Sequence, residues 1–228
     1  MLRKIILFMF CMLHYVYAAR PMNTDDARIT PRNQCQIETW AEFHFNGNSE
    51  VWALPGCNLF WDTEITLGGM IGLESDSIQF QVKKLFVDAD KKNWGIGIAL
   101  GNIHHFIVDS KSKNDLYLYV PATLTFFDSK LVFHANIGYN LQDFRSNIYS
   151  AGIGIEAGIT EKIYFIGEVY YNRFDPLIYQ VGLRTWIVQD SLQIDSTYGN
   201  SFDGKSSFVS LGFRILPQKK ITLMHKTK

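Results

Sequence analysis

Ten residues of this chain are placed where they could do chemistry. Glu38, Glu42, Glu64, Glu156, Glu168, Arg184, Asp195 and Arg214, with His44 and His134, each stand in a run where apolar residues alternate with small or polar ones. Each falls on the polar phase. Acids and bases gathered on one phase can line a narrow passage and set its selectivity. They can equally pair across a small interior and fill it. Turned outward into lipid, a basic residue at mid-depth would cost about 2–4 kcal/mol, so these groups are expected to face inward. Passage and plug both remain open at this level.

Other chemistries have weaker support. Hydrolysis by a serine needs a histidine within reach. Ser146, Ser150, Ser191, Ser196, Ser206, Ser207 and Ser210 have no neighbouring histidine in sequence and no nucleophile-elbow pattern. A phospholipase-like membrane barrel is the enzymatic alternative; the expectation is that no catalytic step occurs. His104 and His105 are adjacent, so on a strand they point to opposite faces and share an ion poorly. Thr24-Asp25-Asp26 could hold a divalent ion, but packing of that segment into or under the fold is the plainer account. No metal and no cofactor are expected.

The elements that must position these residues are strands. From Gln34 to Leu216 the recurring pattern has a period of two, with no sustained run at helical spacing. In "WGIGIALG", Trp94, Ile96, Ile98 and Leu100 alternate with Gly95, Gly97, Ala99 and Gly101. Polar turns at 128–130, 160–162 and 189–191 recur roughly every 30 residues, as hairpin repeats do. The pattern predicts twelve strands: 35–45, 49–56, 61–72, 77–88, 94–105, 115–127, 130–142, 146–159, 162–173, 177–188, 191–201 and 206–216. The second is interrupted by Pro55 and Gly56, which suggest an edge, bulge or turn.

Strands this long exceed the usual five or six residues of a sandwich and match the 9–11 that cross a tilted membrane path. One face is apolar; the other carries Gly, Ser, Thr, Asn and Gln rather than a coat of Lys and Glu. Aromatics near the predicted strand ends (Trp40, Trp94, Phe126, Phe127, Tyr139, Tyr149, Tyr170, Tyr171, Trp186, Tyr198) suit interfacial girdles. Unpaired backbone in lipid is costly, so such strands must close. The expected fold is all-β: a closed, antiparallel, up-and-down transmembrane β-barrel of about twelve strands over 34–216. An even strand number places both termini on the periplasmic side.

Residues 1–18 carry Arg3 and Lys4, an apolar stretch too short to span a bilayer, and small-x-small chemistry ending at Ala18, the marks of a secretory signal peptide. Residues 19–33 form a polar periplasmic lead, and 217–228 a basic C-terminal tail. Loss of Arg3 and Lys4 leaves 20 basic against 22 acidic residues, a net charge of −2, so a nucleic-acid partner has no electrostatic support. The expected surroundings are the outer-membrane bilayer, the barrel-assembly machinery during biogenesis and a small-molecule solute. Cys11 leaves with the signal. Cys35 and Cys57 remain as an even pair in an oxidising compartment, where a disulfide is expected; two buried thiols are the competing reading.

The segments "RPMNTDDARI" (20–29), "CQIETW" (35–40), "WALPGCN" (52–58), "WGIGIALGN" (94–102) and "STYGNSF" (196–202) resemble a group of proteobacterial outer-membrane barrels. The opening Arg20-Pro21 with Thr24-Asp25-Asp26-Ala27 is similar to the start of the barrels grouped as the MetA pathway of phenol degradation, which are labelled transporters. In that group Gly commonly follows the Asp-Asp-Ala; here it is Arg28. The resemblance implies a barrel of about twelve strands and, loosely, passage of small molecules.

Overall fold

The computed structural model describes residues 22–172 and 176–216. The expected signal peptide at 1–18, the first residues of the expected lead at 19–21 and the expected tail at 217–228 lie outside the described residues. Twelve strands follow one another: β1 (Gln34–His44), β2 (Ser49–Phe60), β3 (Thr63–Gly72), β4 (Ser75–Val87), β5 (Trp94–Ile107), β6 (Lys113–Phe126), β7 (Leu131–Gln142), β8 (Ser146–Gly158), β9 (Ile163–Asn172), β10 (Ile178–Val188), β11 (Leu192–Ser201) and β12 (Phe208–Ile215). Each pairs antiparallel with its sequence neighbours, and β1 pairs with β12, closing the barrel. Closure leaves no strand edge unpaired, which lipid requires.

The alternation sorts the side chains as the sequence pattern demands. Outward residues form an exposed apolar band, with Ile71 at 74% and Ile153 at 67% exposure. Inward residues on the same strands are small or polar and buried, among them Thr66, Gln81, Thr123 and Gln180. Trp94, Phe126, Phe127, Tyr149, Tyr171 and Tyr198 lie in the exposed set near strand ends. Trp40 does not. It shares the inward phase of Glu38 and Glu42 and stacks on Trp52, its cross-strand partner, with ring centroids 5.5 Å apart.

Strand β2 runs straight through Pro55 and Gly56 to Phe60. Proline has no N–H to donate, and the β2–β3 ladder skips Leu54 and Pro55 while β1 still pairs opposite them. Pro121 is accommodated in the same way, in a gap of the β5–β6 ladder. The gap of 106–114 between the fifth and sixth predicted strands contracts to 108–112, because β5 extends to Ile107 and β6 begins at Lys113.

Cys35 and Cys57 are direct cross-strand partners on β1 and β2 and form a disulfide. It staples the barrel end that carries Gln34 and Ile215, called here the terminal end. Cys57→Ser is expected to cost up to about 3 kcal/mol, the loop-closure value for a crosslink spanning 22 residues. A lower urea midpoint for the folded barrel in lipid vesicles would register it. An unchanged midpoint would show that the ladder alone holds that rim.

Candidate functional site

The interior is occupied by the protein's own lead. Residues 22–30, which have no helix or strand structure, cross the terminal half of the bore. At one end Thr30 is held by β2 and β3; at the other Asn23 and Thr24 are held by β9. In the closed twelve-strand order, β3 and β9 are six places apart, on opposite sides of the ring. The lead is therefore a strap across the diameter.

Most of its anchors are main-chain contacts to side chains of the wall. Glu168 accepts from the N–H groups of Asn23 (2.8 Å) and Thr24 (2.7 Å). With its amide oriented to satisfy both groups, Asn136 donates to the Asp25 carbonyl at 2.9 Å and accepts from the Asp25 N–H at 2.6 Å. Thr123 Oγ1 accepts from the Ala27 N–H at 2.8 Å. Glu64 Oε2 accepts from the N–H and hydroxyl of Thr30 at 2.8 and 2.5 Å, and Asn58 Nδ2 donates to the Thr30 carbonyl at 2.8 Å. Charge adds to this. Lys83 Nζ is 2.9 Å from Asp25 and 3.6 Å from Asp26, Tyr119 donates its hydroxyl to Asp25, and Arg28 bonds Asp90. Burial opposes ionisation of Asp26, but Lys83, Arg214 and Arg28 more than offset it and hold the carboxyl below the usual carboxylate range.

Three glycines, Gly95, Gly152 and Gly154, make room for the strap. A Cβ on Gly152 would stand 2.5 Å from Thr24 Oγ1, and one on Gly95 would stand 2.8 Å from the Ala27 carbonyl. Three apolar residues of the lead are also buried: Met22 over Gly154, and Ala27 and Ile29 in a small cluster with Leu85.

Nine of the ten predicted residues fall into three groups, and the tenth, Glu168, holds the lead. Arg184, Glu156, Asp195 and His134 form one network. Arg184 grips Asp195 with Nε (3.0 Å) and Nη2 (2.7 Å) and reaches Glu156 with Nη1 (2.5 Å), and His134 Nε2 lies 3.0 Å from Glu156. Arg214 lies 3.3 Å from Glu38 and bonds Gln36, which donates to Glu64. Glu42 and His44 pair at 3.0 Å near the opposite rim, away from the lead. Register places Glu168 opposite Gly154, one inward rung from Glu156, so these two acids lie at neighbouring depths.

Several participants escape sequence reasoning. Lys83, Tyr119, Thr123, Asn136 and Asn58 hold the lead, and of these only phase-sorting of "QFQVKK" could have flagged Lys83. Ser77 Oγ also lies 2.8 Å from His105 Nδ1, with His105 Nε2 3.7 Å from Asp115. Sequence proximity could not show that pair, because β4–β5 register creates it. The ring turns Nδ1 to the hydroxyl and holds the carboxylate beyond hydrogen-bond reach, which is not the arrangement of a serine-hydrolase triad. His104 points away from His105, to Asn114. Among the described residues no group of His, Cys, Asp and Glu is arranged to hold a metal ion.

Space beside the two acids of the lead is small. Voids of about 10 and 30 Å³ flank Asp25 and Asp26, room for a water or two.

Solved porins are among the structures that share this fold. The KdgM porin superposes with a TM-score of 0.67 at 10% identity, over 80% of this chain and 99% of that one. The same porin in complex with disordered oligogalacturonate gives 0.66 at 10% identity, with 80% and 99% covered. The NanC porin gives 0.58 at 10% identity, over 80% of this chain and all of that one (100%). The fold is thus a porin-like outer-membrane barrel. No curated protein matches the sequence. The family model described as "Uncharacterised conserved protein UCP029691" matches residues 6–216, and the chain belongs to that family.

Proposed function

We propose that this protein gives passive, selective passage to a small polar solute across the outer membrane, and that its own lead holds the passage shut. The observation that carries this is the chemistry of the closure. The lead is fastened by hydrogen bonds and ion pairs to wall side chains, contacts that water and a polar solute can take over. The fold shared with porins and the resemblance of residues 20–27 to transporter-labelled barrels support the same class of role.

The KdgM porin has been seen with oligogalacturonate. At 10% identity that likeness carries the barrel and not the ligand. The wall here places more carboxylates than cations around the lead, which disfavours a polyanionic solute.

The test is planar-bilayer recording of the intact chain beside a variant lacking residues 22–30. Rare or small steps from the intact chain and frequent steps from the deletion variant are expected. Silence from a folded deletion variant would leave a structural or interaction barrel, the second reading, which the small interior voids favour.

A further inference from the structure

Five wall side chains, Glu168, Asn136, Thr123, Glu64 and Asn58, bond the backbone N–H or C=O groups of residues 23, 24, 25, 27 and 30. Ala89 adds a main-chain donor, its N–H lying 3.2 Å from the Ala27 carbonyl. Such contacts recognise an extended polypeptide largely irrespective of its side chains. Selectivity is supplied at two kinds of position. Thr24 and Ala27 lie over Gly152 and Gly95, where only small side chains fit. Asp25 faces Lys83 and Tyr119, and Asp26 faces Lys83 and Arg214.

We propose that the terminal half of the lumen is a peptide-binding site, that the lead is its resident ligand, and that it accepts in trans an extended segment of pattern small-Asp-Asp-small. This rests on the reading that the lead is exchangeable, and it adds the class of ligand that replaces it. A main-chain ladder made by side chains needs no covalent continuity with β1. The chain between the last anchor and the barrel is three residues, Pro31 to Asn33, and all three are exposed.

Isothermal titration of the barrel lacking residues 22–30 with a synthetic peptide of residues 19–33 tests this. Saturable one-to-one binding is expected. A Thr24→Trp peptide is expected to bind roughly tenfold or more weakly, because the backbone-lined slot cannot take the ring. Thr24→Val should bind as the natural peptide does, since Thr24 Oγ1 makes no hydrogen bond among the described residues. Glu168→Gln in the barrel should weaken binding about tenfold, having lost a charged acceptor of two N–H groups.

Should the deletion variant fail to fold, a specific protease site inserted after Arg32 cuts the lead from a folded barrel, and fluorescent 19–33 peptide is followed as it exchanges in. No saturable binding or exchange in a folded barrel, or equal binding of a scrambled peptide, would overturn the proposal. The heat of binding is read independently of current. A barrel that binds peptide yet never conducts refutes the passage while sustaining the site; a barrel that conducts but ignores peptide does the reverse.

Discussion

Arg184→Leu is expected to destabilise the barrel by about 3–5 kcal/mol, the usual cost of removing one partner from a buried charge cluster. Among the described residues Arg184 is the one cation bridging Asp195 and Glu156, whose side chains are 0% and 11% exposed. Without it two carboxylates face each other in a confined space. Gln193 donates to Asp195 and His134 lies against Glu156, too little to offset the repulsion. The loss should appear as a lower urea midpoint, and as loss of the compact band that a folded barrel gives on unheated gels. Arg184→Lys keeps the charge but not the two-pronged grip on Asp195, and should fall between wild type and Arg184→Leu. Adding Glu156→Gln and Asp195→Asn to Arg184→Leu should restore much of the loss, since no unpaired charge is then left. A triple variant no more stable than the single one would show that packing, not charge, is what Arg184 supplies.

The same network reaches the lead. Glu156 meets His134, His134 Nδ1 lies 3.0 Å from Thr123 Oγ1, and that oxygen accepts the Ala27 N–H. The wall network and the seating of the lead therefore share one chain of hydrogen bonds.

What the sequence makes legible is whatever depends on local alternation. Period two assigns each strand and sorts "SAGIGIEAGITEKIYFIGEVYY" into outward Ile153 and Val169 and inward Glu156 and Glu168, as the structure places them. Register is less accessible, because it depends on turns and on gaps such as those at Pro55 and Pro121. Trp40 shows that phase outranks composition. Aromatic identity suggests an interfacial position, yet Trp40 lies on the phase of Glu38 and Glu42 and points inward. The course of the lead has no periodic signal. Asn23 meets Glu168 across 145 residues, through backbone groups that every sequence possesses. Only the small residues Thr24 and Ala27 and the acids between them mark it, and their meaning depends on where Gly152, Gly95 and Lys83 come to lie.

Removal of the lead is expected to leave a cation-selective passage. Around the strap the strands place five carboxylates, Glu38, Glu64, Glu156, Glu168 and Asp195, against three cations, Lys83, Arg184 and Arg214. Arg184 and Arg214 already serve Glu156, Asp195 and Glu38. Glu64 and Glu168 differ: the lead's N–H groups are among their donors, and deletion of residues 22–30 withdraws these. Lys83 loses Asp25 and Asp26 at the same time, but one cation does not balance two acids. A narrow bore with this excess should favour cations by on the order of tenfold at low salt. The preference should shrink in 1 M salt, where the screening length falls to about 3 Å. Reversal potentials across a salt gradient measure it. Glu64→Gln with Glu168→Gln should bring the potential towards zero, and Lys83→Gln should move it further in the cation direction. Anion preference in the lead-free barrel would mean that Lys83 and Arg214, freed of Asp25 and Asp26, dominate the field, and an acidic solute would then be the one to test.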